Sequence, residues 1–116
     1  MNTITKVSDI TFTDIAEYLR LTEDLIEDES NVNFITSTIG IAKAFISNYT
    51  GIVEADLDNY GDFPIVVMAL CQDMYDNRSL YVDNNNLNKM VETILGYLIV
   101  KLVKAFSKSL LFLISK

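Results

Sequence analysis

An uninterrupted run of seven apolar residues, 65–71, constrains the fold of this chain more than any other feature. A surface helix carries a polar stripe, so a helix that is apolar on every side is enclosed by others. The run follows Asp62, a residue type that caps helices, and Pro64, which the first turn of a helix tolerates. The β-branched residues that open the run would also suit a buried strand, but its length and the leading Asp-x-Pro favour a helix. We therefore predict a central buried helix over residues 62–78.

Apolar side chains that recur every three or four residues predict two helices before the central one. The first begins after Thr11, which forms a capping-box pattern with Asp14. Its apolar stripe consists of Phe12, Ile15, Ala16 and Leu19. The second begins at residues 28–30 and ends near Tyr49, with Gly51 suited to the left-handed position that terminates a helix. Its stripe consists of Val32, Ile35, Ile39, Ala42, Phe45, Ile46 and Tyr49.

The segments between the helices are polar. Residues 22–30 are strongly acidic, and we interpret them as a solvated connector that also favours the start of the next helix. Within the loop 52–61, residues 56–61 resemble the start of an EF-hand loop, but Val67 stands at the twelfth position, where the loop needs a bidentate Glu, so we predict a turn without calcium. After the polar loop 79–86, a last helix is predicted, which Gly96 weakens or ends. Its buried stripe consists of Leu87, Met90, Val91, Ile94 and Leu95.

The residues that most enzymes use for acid–base or nucleophilic chemistry are scarce. The chain contains no histidine, which removes histidine-based catalysis, Ser–His and Cys–His nucleophiles and nearly all transition-metal sites. Its one cysteine, Cys71, lies within the apolar run and is interpreted as a small buried hydrophobe. Scattered acids such as Asp73, Asp76 and Glu92 are typical of helix surfaces. We therefore predict no enzymatic activity, no cofactor and no metal site.

These patterns predict an all-α fold, a small bundle of about four helices around a buried central helix, with a C-terminal amphipathic basic helix. The chain of 116 residues is long enough for one domain that buries roughly two-thirds of its unfolded surface. We assign residues 1–96 to this helical domain and residues 97–116 to a separate C-terminal tail. Residues 1–7 are polar, so we expect no secretory signal and synthesis in the cytosol.

The distribution of charged residues also changes after residue 96. Residues 1–96 hold all sixteen acids and five bases, a net charge of −11 that disfavours sequence-specific DNA binding. Residues 97–116 hold four lysines and no acid, and at helical spacing one row of lysines opposes an apolar face. The lysines leave no apolar run long enough to span a membrane. The tail could lie on a membrane surface, dock on a partner protein or pack on its own domain. The candidate docking residues are Lys101, Lys104, Phe106, Lys108 and Leu110.

Four segments in the same order resemble the head–tail connector (adaptor) family of tailed bacteriophages and prophages. They are residues 10–20 (ITFTDIAEYLR), 41–51 (IAKAFISNYTG), 64–69 (PIVVMA) and 74–78 (MYDNR), and the likeness covers roughly residues 8–95. The resemblance implies a viral structural protein without catalytic activity, made in the cytoplasm of the bacterial host and located at the head–tail interface of the virion. Residues 97–116 match no pattern of that family.

The resemblance also implies partners. Connector subunits form a homo-oligomeric ring, a dodecamer in the virion, that lies below the portal protein and extends the channel used in DNA packaging. The ring receives a stopper or tail-completion protein on its tail side, and DNA passes through without sequence-specific binding. We expect the tail to dock on the portal or on an adjacent subunit. The alternative function is a small helical protein that associates with a membrane surface through its basic C-terminal helix.

The end of the central helix is the candidate site. We predict that Tyr75, Asp76, Asn77 and Arg78 form a structural or interface corner instead of an active site. The planar guanidinium of Arg78 could hold a carboxylate or the carbonyls at a helix end, in its own chain or in a neighbour. The alternative is that Arg78 is a solvated charge favoured by the helix dipole.

Overall fold

The computed structural model describes residues 6–82, 92–93 and 95–96, and these residues form helices and connecting turns without a strand. The α-helices among them are α1 (Phe12–Tyr18), α2 (Glu23–Glu27), α3 (Glu29–Thr50) and α4 (Phe63–Asn77), and two 3₁₀ helices span Val7–Asp9 and Glu54–Asn59. The predicted all-α class is confirmed. None of the helices described is long and apolar enough to cross a membrane. The predicted C-terminal helix lies outside the described residues.

The central position of α4 is confirmed. Its side chains from Phe63 to Met74 are mostly buried, and its main neighbour is α3, which contributes Ile35, Ile39 and Ala42 to the same core. The 3₁₀ helices add Val7 and Leu57, and Leu95 of the last described residues is also fully buried. Each buried aliphatic side chain stabilises the fold by about 1.5–3 kcal/mol relative to an exposed one. The core is therefore organised around α4, as the apolar run predicts.

Two details predicted for the start of α4 are wrong. Ile65 is 49% exposed, because it lies in the first turn on the outward face that also carries Gln72 and Asp76. Asp62 has helical backbone angles, and its carboxylate accepts no hydrogen bond from the first turn. Pro64 has no N–H, so it reduces the number of donors that a cap would satisfy there.

The predicted limits of α1 and α3 are confirmed at their caps. The backbone N–H of Thr11 donates to the Asp14 carboxylate at 2.8 Å, which completes the capping box of α1. Asp28 accepts a hydrogen bond from the backbone N–H of Ser30 at 3.0 Å and starts α3. Gly51 ends α3 with φ 77°, the left-handed backbone that glycine adopts without steric cost.

The acidic segment before α3 is more ordered than the sequence predicts. We predicted a connector, and the structure has the five-residue helix α2 there. The carbonyl of Thr22 accepts hydrogen bonds from the N–H groups of Leu25 and Ile26, both at 3.1 Å. The Thr22 hydroxyl also donates to Asp24 and is the main cause that lowers the pKa of that carboxyl. These local bonds hold one helical turn that has too few apolar residues to show periodicity.

Two helices end at an arginine in the left-handed region. Arg20 has φ 56° and Arg78 has φ 51°, and no other non-glycine residue in the described parts of the chain has a positive φ. After α1, the N–H of Leu21 donates to the Ala16 carbonyl and the N–H of Arg20 to the Glu17 carbonyl, each at 3.1 Å. This pair of bonds is the Schellman motif, which usually has glycine at the left-handed position.

The end of α4 has the same pattern of hydrogen bonds. The N–H of Ser79 donates to the Met74 carbonyl at 3.0 Å, and the N–H of Arg78 donates to the Tyr75 carbonyl at 3.3 Å. A residue with a Cβ atom loses roughly 1–2 kcal/mol in this conformation relative to the right-handed one. Both helix ends therefore carry a conformational cost that glycine would avoid.

Candidate functional site

The guanidinium of Arg78 lies over aromatic rings at the end of α4. Its Cζ atom is 4.4 Å from the ring centroid of Tyr75 and 5.7 Å from that of Phe34 on α3. The two rings are 6.4 Å apart and meet edge to face at 68°. A cation above an aromatic face at an exposed site contributes about 0.5–1 kcal/mol. This contact places Arg78 against its own bundle.

Asn31 joins this contact from the first turn of α3. Its side chain is buried, and its Nδ2 donates to the carbonyl of Leu25 in α2 at 3.1 Å. Its Oδ1 accepts a long hydrogen bond of 3.4 Å from Nη1 of Arg78. The one amide therefore links α2, α3 and the residue that ends α4. The partner that the structure gives to Arg78 is an amide oxygen, where the sequence predicted a carboxylate or helix-end carbonyls.

The other two residues of the predicted corner do not join the Arg78 contact. Asn77 is exposed, and its Nδ2 donates to the Asp73 carbonyl at 2.9 Å and to Asp73 Oδ1 at 3.1 Å, within the last turn of α4. Asp76 is exposed and makes no side-chain hydrogen bond with residues 6–82. The structure therefore brings Tyr75 and the exposed Arg78 into contact, and the exposed Asp76 and Asn77 lie outside that contact.

Sequence reasoning missed the residues of α3 that complete the corner. Phe34 and Asn31 lie more than forty positions before Arg78, and no local pattern pairs them with it. One signal was present: Asn31 lies four residues before Ile35, in register with the buried stripe. A polar side chain in that register needs a hydrogen-bond partner, because burying it without one is costly.

Cys71 is buried, as predicted. Burial raises the pKa of its thiol to about 11, against smaller opposing effects from the Thr38 hydroxyl and from Lys43. A neutral buried thiol is neither a nucleophile nor a metal ligand at neutral pH. The described ranges hold no group of three or more acidic or cysteine side chains that could bind a metal ion.

A shallow apolar groove of about 270 Å³ runs between α3 and the chain that follows α4. Leu80 is 47% and Tyr81 64% exposed beside it. The groove is lined by Ile41, Ala44, Phe45, Asn48, Leu80, Tyr81 and Val82. A second groove of about 230 Å³ lies between α1 and α2. The lining of the first groove holds no charged residue, whereas Glu17 and Arg20 line the second.

Large apolar side chains are also exposed near the start of α4. Val53 precedes the second 3₁₀ helix and is 66% exposed, and Ile65 lies on the first turn of α4. About 18 Å of helix separates Ile65 from Asn77, the last residue of α4. Ile65 is not among the residues that line the groove beside Leu80 and Tyr81. The predicted docking residues Lys101, Lys104, Phe106, Lys108 and Leu110 lie outside the described residues.

In comparisons with known proteins, no family model, no curated protein and no solved structure matches the chain. The resemblance to head–tail connectors, which comes from the four sequence segments, therefore stays a prediction.

Proposed function

We propose that the protein is a head–tail connector subunit that forms a ring below the portal of a tailed phage, extends the DNA channel and receives a tail-side protein. The observation that carries this proposal is the exposure of large apolar side chains at two places, Leu80 and Tyr81 beside the groove and Ile65 outside its lining. Head-to-tail contacts use two different surfaces of each copy and close into a ring when the rotation fits. Exposed apolar patches on a folded domain are typical of protein contacts.

Charge and packing are compatible with such a role. The net charge of −11 in residues 1–96 repels phosphate, which suits a channel through which DNA moves without being held. The corner at Arg78 makes contacts within its own bundle, which stiffen a subunit and require no substrate. The portal and the tail-side protein come from the family resemblance alone.

Native mass spectrometry and negative-stain electron microscopy of the purified chain test the proposal. We expect closed rings, whose population grows with protein concentration. Replacing Leu80 and Tyr81 by serine should shift the population to monomer, because the groove loses its exposed apolar rim. Asn33→Ser, which changes an exposed polar residue of α3 outside the groove lining, is the control and should leave assembly unchanged. A chain that stays monomeric at every concentration would contradict the proposal.

The membrane-surface alternative is tested separately by liposome sedimentation of the full chain and of a chain that ends at Gly96. We expect neither form to sediment with anionic vesicles. Sedimentation of the full chain alone would favour the alternative, since it would assign membrane binding to residues 97–116.

A further inference from the structure

One carboxylate connects the start of the described chain to a segment fifty residues later. The backbone N–H of Ser8 donates to Oδ1 of Asp58 at 2.9 Å, and the Ser8 hydroxyl donates to Oδ2 at 2.6 Å. Ser8 lies in the 3₁₀ helix Val7–Asp9 and Asp58 in the 3₁₀ helix Glu54–Asn59. Hydrogen bonds to an ionised acceptor are stronger than neutral ones, and here both oxygens of the carboxylate are engaged.

We call residues 6–10 the N-terminal strap. Val7 and Ile10 are buried in the core, and the strap packs on the second 3₁₀ helix and on α4. Its internal bonds are local: Asp9 N–H to the Lys6 carbonyl and Ile10 N–H to the Val7 carbonyl, both 3.2 Å. Among the described residues, Asp58 is the only side chain outside the strap that forms hydrogen bonds with it. The strap is thus held by two apolar side chains and one carboxylate.

We propose that the strap is a separately openable unit and that the Asp58 carboxylate is its latch. When the latch is lost, Val7 and Ile10 leave the core and uncover apolar surface on the second 3₁₀ helix and α4, while α3 and α4 stay packed on each other. Local opening of a short segment with few buried side chains costs less than global unfolding.

The two hydrogen bonds from Ser8, with a smaller contribution from nearby lysines, keep this latch closed at neutral pH. The Ser8 hydroxyl, then the Ser8 N–H, and to a lesser degree Lys6 on the strap and Lys43 on α3 hold the pKa of Asp58 below its usual value. A lowered pKa means that the ionised carboxylate is stabilised in the closed state. That stabilisation is complete above the ordinary pKa of aspartate and is lost as the pH falls through the lowered pKa. Acid therefore opens the strap, and a rise above neutral pH does not.

Amide hydrogen exchange of the full-length chain, resolved by NMR, tests the latch. In Asp58→Ala, exchange at Ile10 should accelerate about threefold to tenfold, because the hydrogen bonds to a charged acceptor are lost. Exchange at Leu70 in α4 should not change. Asp56→Ala is the matched control, because Asp56 lies in the same 3₁₀ helix and is exposed without a side-chain hydrogen bond to residues 6–82. It should leave Ile10 at the wild-type rate.

The same measurement contains the outcomes that would overturn the proposal. Unchanged exchange at Ile10 in Asp58→Ala would show that Asp58 is no latch. Equal acceleration at Ile10 and Leu70 would show that the strap does not open by itself. In the wild-type chain, exchange at Ile10, corrected for its intrinsic pH dependence, should accelerate on acidification through the titration of Asp58, and Asp58→Ala should abolish that acceleration.

Discussion

The ends of α1 and α4 have the same backbone conformation, but the arginine that terminates each helix has different surroundings. Arg20 and Arg78 both adopt left-handed angles and both complete a Schellman motif. Arg78 stacks on Tyr75 and bonds to Asn31, whereas the guanidinium of Arg20 has neither a ring contact nor a hydrogen bond within residues 6–82. The same conformational cost is therefore offset by side-chain contacts at one helix end and not at the other.

This difference indicates that the left-handed arginine forms the backbone turn at both helix ends and adds side-chain contacts only at Arg78. At Arg20 the backbone turn is what matters, and its side chain lines the rim of the small groove between α1 and α2. At Arg78 the turn also places a planar cation over an aromatic ring and beside a buried amide. Substitutions at the two positions should therefore separate the backbone contribution from the side-chain contribution.

Truncation of a buried side chain inside α4 should lower the free energy of unfolding more than any change at the two helix ends. Leu70 is 2% exposed, and Leu70→Ala should lower the free energy of unfolding by about 2–5 kcal/mol through lost burial and a residual cavity. Chemical denaturation measures this loss. Gln72→Ala, at an exposed position of the same helix, should cost less than about 0.5 kcal/mol. A loss at Leu70 as small as that at Gln72 would mean that α4 is not the centre of the core.

Removing the amide at the Arg78 corner should have the next largest effect. Asn31→Ala leaves the Leu25 carbonyl and the Arg78 guanidinium without their partner, and we expect a loss of about 1–3 kcal/mol in the same measurement. Asn33→Ala is the control, because Asn33 is exposed on α3 and its side chain makes no hydrogen bond to the described residues. Equal losses in the two variants would show that the buried amide contributes nothing specific.

Truncating the two arginines tests the comparison directly. Arg78→Ala should cost about 1 kcal/mol from the lost stacking and hydrogen bond, and Arg20→Ala should be close to neutral. Arg78→Lys should recover part of the loss, because a lysine keeps the charge over Tyr75 but not the planar donor fork. Thermal melts measure the effect of each variant on stability, and ring-assembly assays measure its effect on assembly. If Arg78→Ala changes neither melting nor assembly, Arg78 is a solvated charge.

Glycine should produce the smallest effects on the free energy of unfolding, a gain at Arg20 and almost no change at Arg78. Arg20→Gly relieves the left-handed strain and should stabilise the chain by about 0.5–1 kcal/mol after the greater unfolded-state freedom of glycine is subtracted. Arg78→Gly gains the same relief but loses the stacking, so its net effect should be near zero. Equal gains at the two positions would contradict the difference between the helix ends.

Elements with strong local signals were predictable from the sequence. The periodic stripe and the terminal Gly51 located α3, the Thr11–Asp14 capping box located the start of α1, and the apolar run located α4. In each case the determining interactions lie within a few residues of one another. Local propensity and burial also agree there, so a single sequence suffices.

The parts that were not predictable depend on contacts between distant segments or on unusual backbone angles. The Ser8–Asp58 bond spans fifty residues, and the Arg78–Asn31 bond spans forty-seven. An arginine in a left-handed helix end carries no sequence signal, because glycine is the residue expected there. The exposure of Ile65 depends on how α4 is rotated against α3, which an uninterrupted apolar run does not specify.

Because the thiol of Cys71 is buried, its oxidation indicates that the chain has unfolded. Oxidants and disulfides react with the thiolate, and a thiol with a pKa of about 11 inside the core is neutral and shielded at physiological pH. Because the chain has no second cysteine, any disulfide it forms joins it to another molecule. Such a product arises from chains in which α4 has been exposed. A disulfide-linked pair of chains would thus mark chains that have unfolded, and chains that stay folded would stay reduced.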